Sequence, residues 1–368
     1  MGAFVGDKTS PFFRRRKGRV GQDKVVEHTP APALAGVEIR FAASNGAIIV
    51  CGVNAATSVQ VSKNNGASWG ALAIVAPDFI GNGAVNGHCL VAKPFNIYVA
   101  QGANPQNNNA LDGAGAHPGI GGASIRINRD GHFNVETFTV AGAPQESIAY
   151  TEDGTYFCTV GAKVAGNAEC GGGKVGVAAE LFDFPCTAAN GMATVAALND
   201  PNTPYEAAFI GAEASAAGDA LQIHKIWRLP TAATWGHRGI ITGAIVGNPT
   251  REIMQIGRVI IFTDSNNPVI CRSLDYGETW TEIAMTGGAN GPTKDIFRYG
   301  RFLYMLMRDA PRIMRSRNKG TTWEQSPVQL ISGTAIPDVA CMHNGDRMIF
   351  CHDGAANRIY KFKHAMDI

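Results

Sequence analysis

Residues 273–280 form the stretch that decides the fold, Ser273-Leu-Asp275-Tyr-Gly277-Glu-Thr279-Trp280. Residues 62–69 and 316–323 repeat its pattern of Ser, then Asp or Asn, then Gly, and a closing Ser-Trp or Thr-Trp pair. In such a turn the Asp or Asn side chain accepts backbone N–H groups, Gly adopts a positive φ, and Trp packs between sheets. We therefore predict three structural turns that join strands and hold no catalytic group.

The structural role falls on the same positions in each stretch: Ser62, Asn64, Gly66 and Trp69; Ser273, Asp275, Gly277 and Trp280; and Ser316, Asn318, Gly320 and Trp323. Residues 228–235 keep only the Thr-Trp end of the pattern, closing on Trp235, and we interpret them as an eroded copy. Four of the five tryptophans thus share one repeat position, so we predict equivalent places for them on outer strands.

Short, strongly apolar strands recur at intervals of 43 to 59 residues, around Val50, Tyr98, Phe157, Phe209, Ile261, Tyr304 and Ile349. A four-stranded propeller blade occupies about 40–50 residues. The spacing and the turns together predict an all-β chain, a single seven-bladed β-propeller of four-stranded antiparallel blades, with six blades as the alternative. A β-solenoid or a β-sandwich is the competing architecture.

The last repeat offers only three strands before the chain stops at Ile368. Residues 23–28 are the only unassigned extended segment, so we predict that they pair with residues 359–362 and close the ring. Closure of this kind covers an open sheet edge that would otherwise favour aggregation. The predicted domains are a basic N-terminal arm at residues 1–21 and the propeller at residues 22–368.

Composition and charge narrow the function classes. With 44 Gly and only 17% charged residues, the chain suits short strands and tight turns. A net charge of +2 is too small to attract nucleic acid or an anionic membrane. The chain has no long apolar run and no apolar start, so we expect a soluble protein not exported by a signal peptide. Cys51, Cys158 and Cys351 close apolar runs and are expected to be small buried hydrophobes in a reducing compartment.

Two features suggest surfaces for partners. The arm carries the candidate docking residues Phe12, Phe13, Arg14, Arg15, Arg16 and Lys17. Insertions at residues 102–123, 161–173 and 211–219 fall between second and third strands and are expected side by side, opposite the turns. Long loops in compact domains are either functional or disordered, and a frayed terminus is the alternative for the arm. Nucleic acid is not the expected ligand of the arm, which lacks interleaved aromatic residues.

The S-x-D-x-G-x-T-W pattern resembles the Asp box, or BNR repeat, of sialidase-type propellers. The resemblance implies a propeller but no activity, because one fold hosts many functions. Sialidases add an F/Y-R-I-P motif, an arginine triad and a Tyr–Glu pair, and this chain has no R-I-P. The nearest candidates are Arg40, Arg251, Arg258, Arg312 and Tyr304, which we interpret as structural. We identify no catalytic residue, no cofactor and no metal-ligand spacing; the pairs His88-Cys89 and Cys351-His352 have no second pair nearby in sequence.

The sequence favours a non-enzymatic structural or interaction protein. Its Gly/Ala/Asn-rich loops and low content of charged residues resemble those of bacteriophage virion components such as a tail hub, a nozzle or a fibre-associated propeller. The expected partners are other tail proteins and copies of itself, with a host-surface glycan as a further candidate. The expected location is a virion assembled in bacterial cytoplasm, or else the cytoplasm itself. The alternatives are a glycan-binding or sialidase-like glycoside hydrolase propeller, and an assembly propeller of the photosynthetic type, which needs an arginine patch.

Overall fold

The computed structural model describes residues 24–28, 39–53, 58–73, 88–92, 96–100, 121–127, 133–140, 145–164, 167–174, 180–185, 192–213, 222–230, 234–241, 253–263, 269–285, 293–309, 312–353 and 357–363. All regular secondary structure in these ranges is β-strand. The same ranges contain no helix with the length and hydropathy needed to cross a membrane.

The strands, in chain order, fall into successive groups of four after the first. The first strand and blades 1 to 3 are β1 Lys24–His28; β2 Ile39–Ser44, β3 Ile49–Val53, β4 Ser58–Ser62, β5 Gly70–Ala73; β6 His88–Ala92, β7 Asn96–Ala100, β8 Gly121–Ile127, β9 Phe133–Val140; and β10 Gln145–Tyr150, β11 Tyr156–Val164, β12 Asn167–Lys174, β13 Glu180–Pro185. Blades 4 to 7 are β14 Met192–Ala197, β15 Ala207–Glu213, β16 Gln222–Arg228, β17 Trp235–Ile241; β18 Met254–Ile256, β19 Val259–Thr263, β20 Val269–Ser273, β21 Thr281–Ala284; β22 Thr293–Tyr299, β23 Phe302–Met307, β24 Ile313–Ser316, β25 Glu324–Gln325; and β26 Ile336–His343, β27 Asp346–His352, β28 Asn357–Lys363.

The described strands form seven four-stranded antiparallel sheets. First strands of consecutive blades lie against one another in the pairs β2 with β6, β6 with β10, β10 with β14, β22 with β26, and β26 with β2. The last blade therefore meets the first, and the all-β propeller of four-stranded blades is confirmed. Because the strands in a blade alternate in direction, the first-to-second and third-to-fourth connections share one end, which we call the turn end.

An N-terminal strand closes the ring. Strand β1 is the outer strand of blade 7, in the order β1-β28-β27-β26. It pairs with β28 in antiparallel register from Lys24 opposite Lys363 to His28 opposite Ile359. This is the predicted pairing of residues 23–28 with residues 359–362. Val25 faces the core beside Phe362, so the closing strand adds apolar burial as well as backbone hydrogen bonds.

The hydrophobic core lies between blades. The second strands β15, β19 and β23 are buried along their whole length, because each is covered on both faces by a neighbouring blade. These are the apolar runs around Phe209, Ile261 and Tyr304 that set the repeat. Cys51, Cys158 and Cys351 are 0% exposed, which confirms their expected role as small buried hydrophobes.

Polar side chains on first strands bond one blade to the next. Each of these side chains accepts the backbone N–H of the following blade's first strand, a donor that is otherwise left at the inner edge of the sheet. The pairs are Ser147 Oγ with Val195 N at 3.2 Å, Asp295 Oδ2 with Ala340 N at 2.7 Å, and Asp338 Oδ2 with Ile39 N at 3.0 Å. The last pair joins blade 7 to blade 1 and therefore reinforces the closure.

The predicted insertions need correction. Residues 161–173 are not a loop, because β11 and β12 extend through them and only residues 165–166 separate the two strands. The ends of the other two segments are also strand, since β8 begins at Gly121 and β15 continues to Glu213. These strands continue because backbone pairing with a neighbour satisfies their N–H and C=O groups. The remaining residues, 102–120 and 214–219, lie outside the described ranges.

Candidate functional site

The three Ser–Gly–Trp turns, residues 62–69, 273–280 and 316–323, share one hydrogen-bond pattern at the turn end. In the second of them, Asp275 Oδ1 accepts the Ser273 hydroxyl at 2.7 Å and the Thr279 N–H at 2.9 Å. Ser273 Oγ accepts the Gly277 N–H at 2.8 Å. The other two turns repeat these bonds with Asn64 and Asn318 as the acceptors. The Ser and the Asp or Asn side chains of these turns are engaged in hydrogen bonds within the turn, so they offer no free catalytic group.

Glycine is required in these turns for two reasons. Gly277 and Gly320 have φ of 85° and 80°, a region that L side chains rarely adopt. A Cβ on Gly277 would lie 2.5 Å from Ile210 Cδ1, and one on Gly320 would lie 2.8 Å from Ile261 Cδ1. Both isoleucines belong to the preceding blade, so each turn also packs closely against its neighbouring blade. The residue before each Gly also has positive φ, a feature that the sequence reasoning did not include.

The four repeat tryptophans lie where the fourth strand of a blade begins. Trp69, Trp280 and Trp323 directly precede β5, β21 and β25, and Trp235 is the first residue of β17. Each packs into the core shared with the preceding blade. Trp280 and Trp323 donate their Nε1–H to the carbonyl of their own turn's Gly.

The eroded copy in blade 4 uses different chemistry. Trp235 donates its Nε1–H to Glu180 Oε2 of blade 3 at 2.8 Å and stacks on Phe182 at 4.8 Å. Arg228 donates to Glu180 Oε1 at 2.9 Å and also pairs with Glu206. In blade 4, Trp235 is thus held by an ion-pair network that joins it to blade 3.

The sialidase candidates do not converge. Arg258 lies at the turn end, between β18 and β19, whereas Arg312 lies at the opposite end, before β24. Tyr304 is 0% exposed and belongs to the core, as interpreted from the sequence. Arg40 lies on β2, and Arg251 is outside the described residues. The two described arginines whose side chains can be placed therefore cannot share one substrate carboxylate.

Several histidines pair with acids or hydroxyls within the fold. His224 Nε2 lies 2.6 Å from Glu213 Oε1, and both side chains are buried. The ring centroid of His237 lies 6.2 Å from that of His224. The pKa of His237 is lowered, first because burial disfavours its protonated form and second because of the charge of His224. His352 Nδ1 lies 2.7 Å from Asp338 Oδ2, the carboxylate that joins blades 7 and 1. We interpret these pairs as structural contacts that join neighbouring strands and blades.

A Ser–His–Asn contact at the seam between blades 7 and 1 has a similar role. His343 Nδ1 lies 2.6 Å from Ser44 Oγ, and its Nε2 lies 2.8 Å from Asn65 Oδ1. Ser44 Oγ also accepts the Gly46 N–H at 3.0 Å. The serine is only 9% exposed, so its hydroxyl is committed to the turn and not presented to a substrate.

No group of three or more His, Cys, Asp or Glu side chains in the described ranges is arranged to hold a metal ion. The candidate arm residues, from Phe12 to Lys17, lie outside the described residues. Asp353, which directly follows β27, pairs with Arg358 at 2.9 Å.

A cluster of arginines lies at the turn end of blade 6. Phe302 lies at its centre, with the guanidinium carbons of Arg301 and Arg315 each 4.9 Å from the ring centroid and that of Arg317 at 5.8 Å. We call Phe302 and these three residues the arginine cluster. Sequence reasoning missed it, because β23 and β24 bring together residues that are 16 positions apart in the chain.

One carboxylate lies inside the arginine cluster. Glu324 Oε1 accepts from Arg315 Nη2 at 2.7 Å and from Arg317 Nε at 2.9 Å. These two arginines lower the pKa of Glu324, chiefly through the hydrogen bonds from Arg315 and then Arg317. Within the part of the chain that the structure describes, Arg301 has no carboxylate partner. Among the described residues, three positive charges of the arginine cluster therefore face one carboxylate.

Comparison with known proteins supports the fold. No protein-family model matches the chain, and no curated protein matches it in sequence. A solved structure described as YCF48 bound to D1 peptide matches with a TM-score of 0.54 and 9% identity, over 92% of this chain and 94% of that one. At this identity the likeness concerns the β-propeller fold alone.

Proposed function

We propose that this chain is a non-enzymatic structural and interaction propeller that binds protein partners through exposed charged surface. The arginine cluster carries the proposal. It gathers more guanidinium groups than carboxylates at one end of the ring, and a surplus of this kind suits electrostatic recognition of another molecule. The solved propeller YCF48, which is bound to D1 peptide, supports protein binding as a function that this fold can perform.

We further propose that the protein is a bacteriophage virion component, such as a tail hub, nozzle or fibre-associated protein, assembled in bacterial cytoplasm. The Gly/Ala/Asn-rich, low-charge sequence supports this proposal. The shared bonding of the three Ser–Gly–Trp turns supports descent from Asp-box, or BNR-repeat, propellers. The arm at residues 12–17 is the proposed second contact, toward tail proteins or copies of the same chain.

The test is physical association with particles. The chain would be expressed from its natural locus with an affinity tag, and purified particles would be analysed by mass spectrometry and immunogold labelling. We expect the protein at a fixed copy number in particles, with portal and tail genes beside its own. A protein that stays outside particles, or a locus devoted to glycan metabolism, would contradict the virion proposal.

A further inference from the structure

Three cations of blade 4 are neutralised by neighbouring residues. Lys225 of blade 4 lies 2.7 Å from Glu278 of blade 5 and 3.4 Å from Asp200. Arg238 pairs with the same Glu278. Arg228, as described above, is held by two glutamates. These positive side chains of blade 4 are engaged with acids of the same chain, and the pairs with Glu180 and Glu278 join it to blades 3 and 5.

The arginine cluster differs from blade 4, because its cations exceed the acids that the described residues supply to them. Glu324 is the carboxylate that the described residues supply to it. Arg317 is 60% exposed and Arg301 is also exposed, so neither is needed to fill the core. Phe302 is only 7% exposed, because its ring packs in the core beside Tyr304 and the guanidinium groups lie over it. Guanidinium groups that contact an aromatic ring keep N–H edges for planar oxygen ligands.

The basic surface continues onto blade 7. Arg347 donates from Nη2 to the Arg298 carbonyl at 2.9 Å, and its guanidinium carbon lies 4.7 Å from the centroid of Phe297. Arg298 folds back onto the adjacent hairpin turn, with its Nε 3.1 Å from the Gly300 carbonyl. A ligand with several negative groups would therefore meet positive charge across the seam between blades 6 and 7.

We propose that the arginine cluster binds carboxylates of an acidic segment in a partner protein, and that Glu324 occupies one of the positions such a carboxylate takes. Glu324 already shows that Arg315 and Arg317 converge on one carboxylate oxygen. An incoming carboxylate would displace it and would also reach Arg301. The inference rests on the proposed interaction function and specifies its ligand chemistry.

The experiment measures binding of a fluorescein-labelled peptide of about ten glutamates to the full chain, by fluorescence anisotropy at low ionic strength, where exposed charges are least screened. Combined substitution Arg301→Gln and Arg317→Gln should weaken binding about tenfold or more, because charge-assisted hydrogen bonds are lost. Glu324→Gln should tighten binding several-fold, since it removes the internal competitor. An equally long lysine peptide should not bind.

Arg258→Gln is the matched control. Arg258 follows Gly257 in the hairpin of blade 5 as Arg301 follows Gly300 in blade 6, both glycines have φ near 60°, and Val259 stands in place of Phe302. This variant should bind the peptide as the unchanged protein does. An equal loss in Arg258→Gln would reveal a general charge effect and overturn the site.

Three further results would overturn the proposal: no peptide binding, unchanged affinity in Glu324→Gln, or tighter binding of a single-stranded oligonucleotide of equal charge. Circular dichroism of every variant checks that the fold is kept. Failure of the peptide test leaves the particle result unaffected, so a protein found in particles but unable to bind the peptide would refute only this inference.

Discussion

Trp323→Ala should be among the most damaging single substitutions in the chain. The side chain is 9% exposed and packs with Val259, Ile261 and Met305 between blades 5 and 6. A buried aromatic removes about 150–250 Å² from water, worth about 4–6 kcal/mol at ~25 cal/mol per Å². Partial relaxation reduces the expected loss to about 3–5 kcal/mol. Trp280 is only partly buried, so its truncation should cost less.

The measurement is urea unfolding followed by far-ultraviolet circular dichroism, which does not depend on tryptophan emission. Trp323→Phe keeps most of the ring contacts and loses the Nε1–H bond to the Gly320 carbonyl, so we expect a cost of about 1–2 kcal/mol. Leu274→Ala is the control, because Leu274 lies in an equivalent turn but is 47% exposed. An unfolding midpoint for Trp323→Ala equal to that of Leu274→Ala would refute the inter-blade role.

Three other predictions follow from the closure, the turns and the candidate chemistry. Deleting residues 1–21 should leave the melting temperature unchanged and weaken assembly, whereas deleting residues 1–28 removes β1 and should lower it; equal effects would contradict the closing role. Burial raises the pKa of Asp275, but hydrogen bonds from Thr279 and Ser273 outweigh it, so the net pKa is lowered. The Asp275 carboxylate should therefore stabilise the fold above its unfolded-state pKa of about 3.9, and this stabilisation should be lost as the pH falls through the folded-state pKa. The free energy of unfolding of Asp275→Asn would be compared with that of the unchanged protein from pH 7 to 2. The difference between the two should shrink as the pH falls, and a constant difference would contradict the argument. A fluorogenic sialoside should not be hydrolysed, and turnover that disappears in Arg40→Ala would reverse the non-enzymatic assignment.

The propeller could be predicted from the sequence because its repeated turns depend on interactions between residues that are close in the chain. Gly at a turn that needs positive φ, and an Asp or Asn that accepts the turn's N–H groups, are requirements within eight consecutive residues. The closing strand was predictable for a different reason. The last repeat lacked an outer strand, and a single extended segment remained to supply it.

The predicted insertion at residues 161–173 was wrong because Gly-rich composition was taken to indicate a loop. In the structure, Gly171, Gly172 and Gly173 continue β12 and pair with β11. Gly172 is needed in the strand because Trp235 of the next blade lies over it, and a Cβ there would lie 2.3 Å from the indole ring. Composition gives no information about a side chain that arrives from another blade.

By itself, the sequence determined the four-stranded repeat, its turns and its closure, because each depends on residues close in the chain or on a simple count of strands. Only the tertiary structure decided which charges meet. Arg301, Arg315 and Arg317 surround Phe302 because β22, β23 and β24 run side by side, while Lys225 and Arg228 are neutralised by acids 22 to 53 residues away. Electrostatic attraction depends on distance in space, and the packing of blades sets that distance.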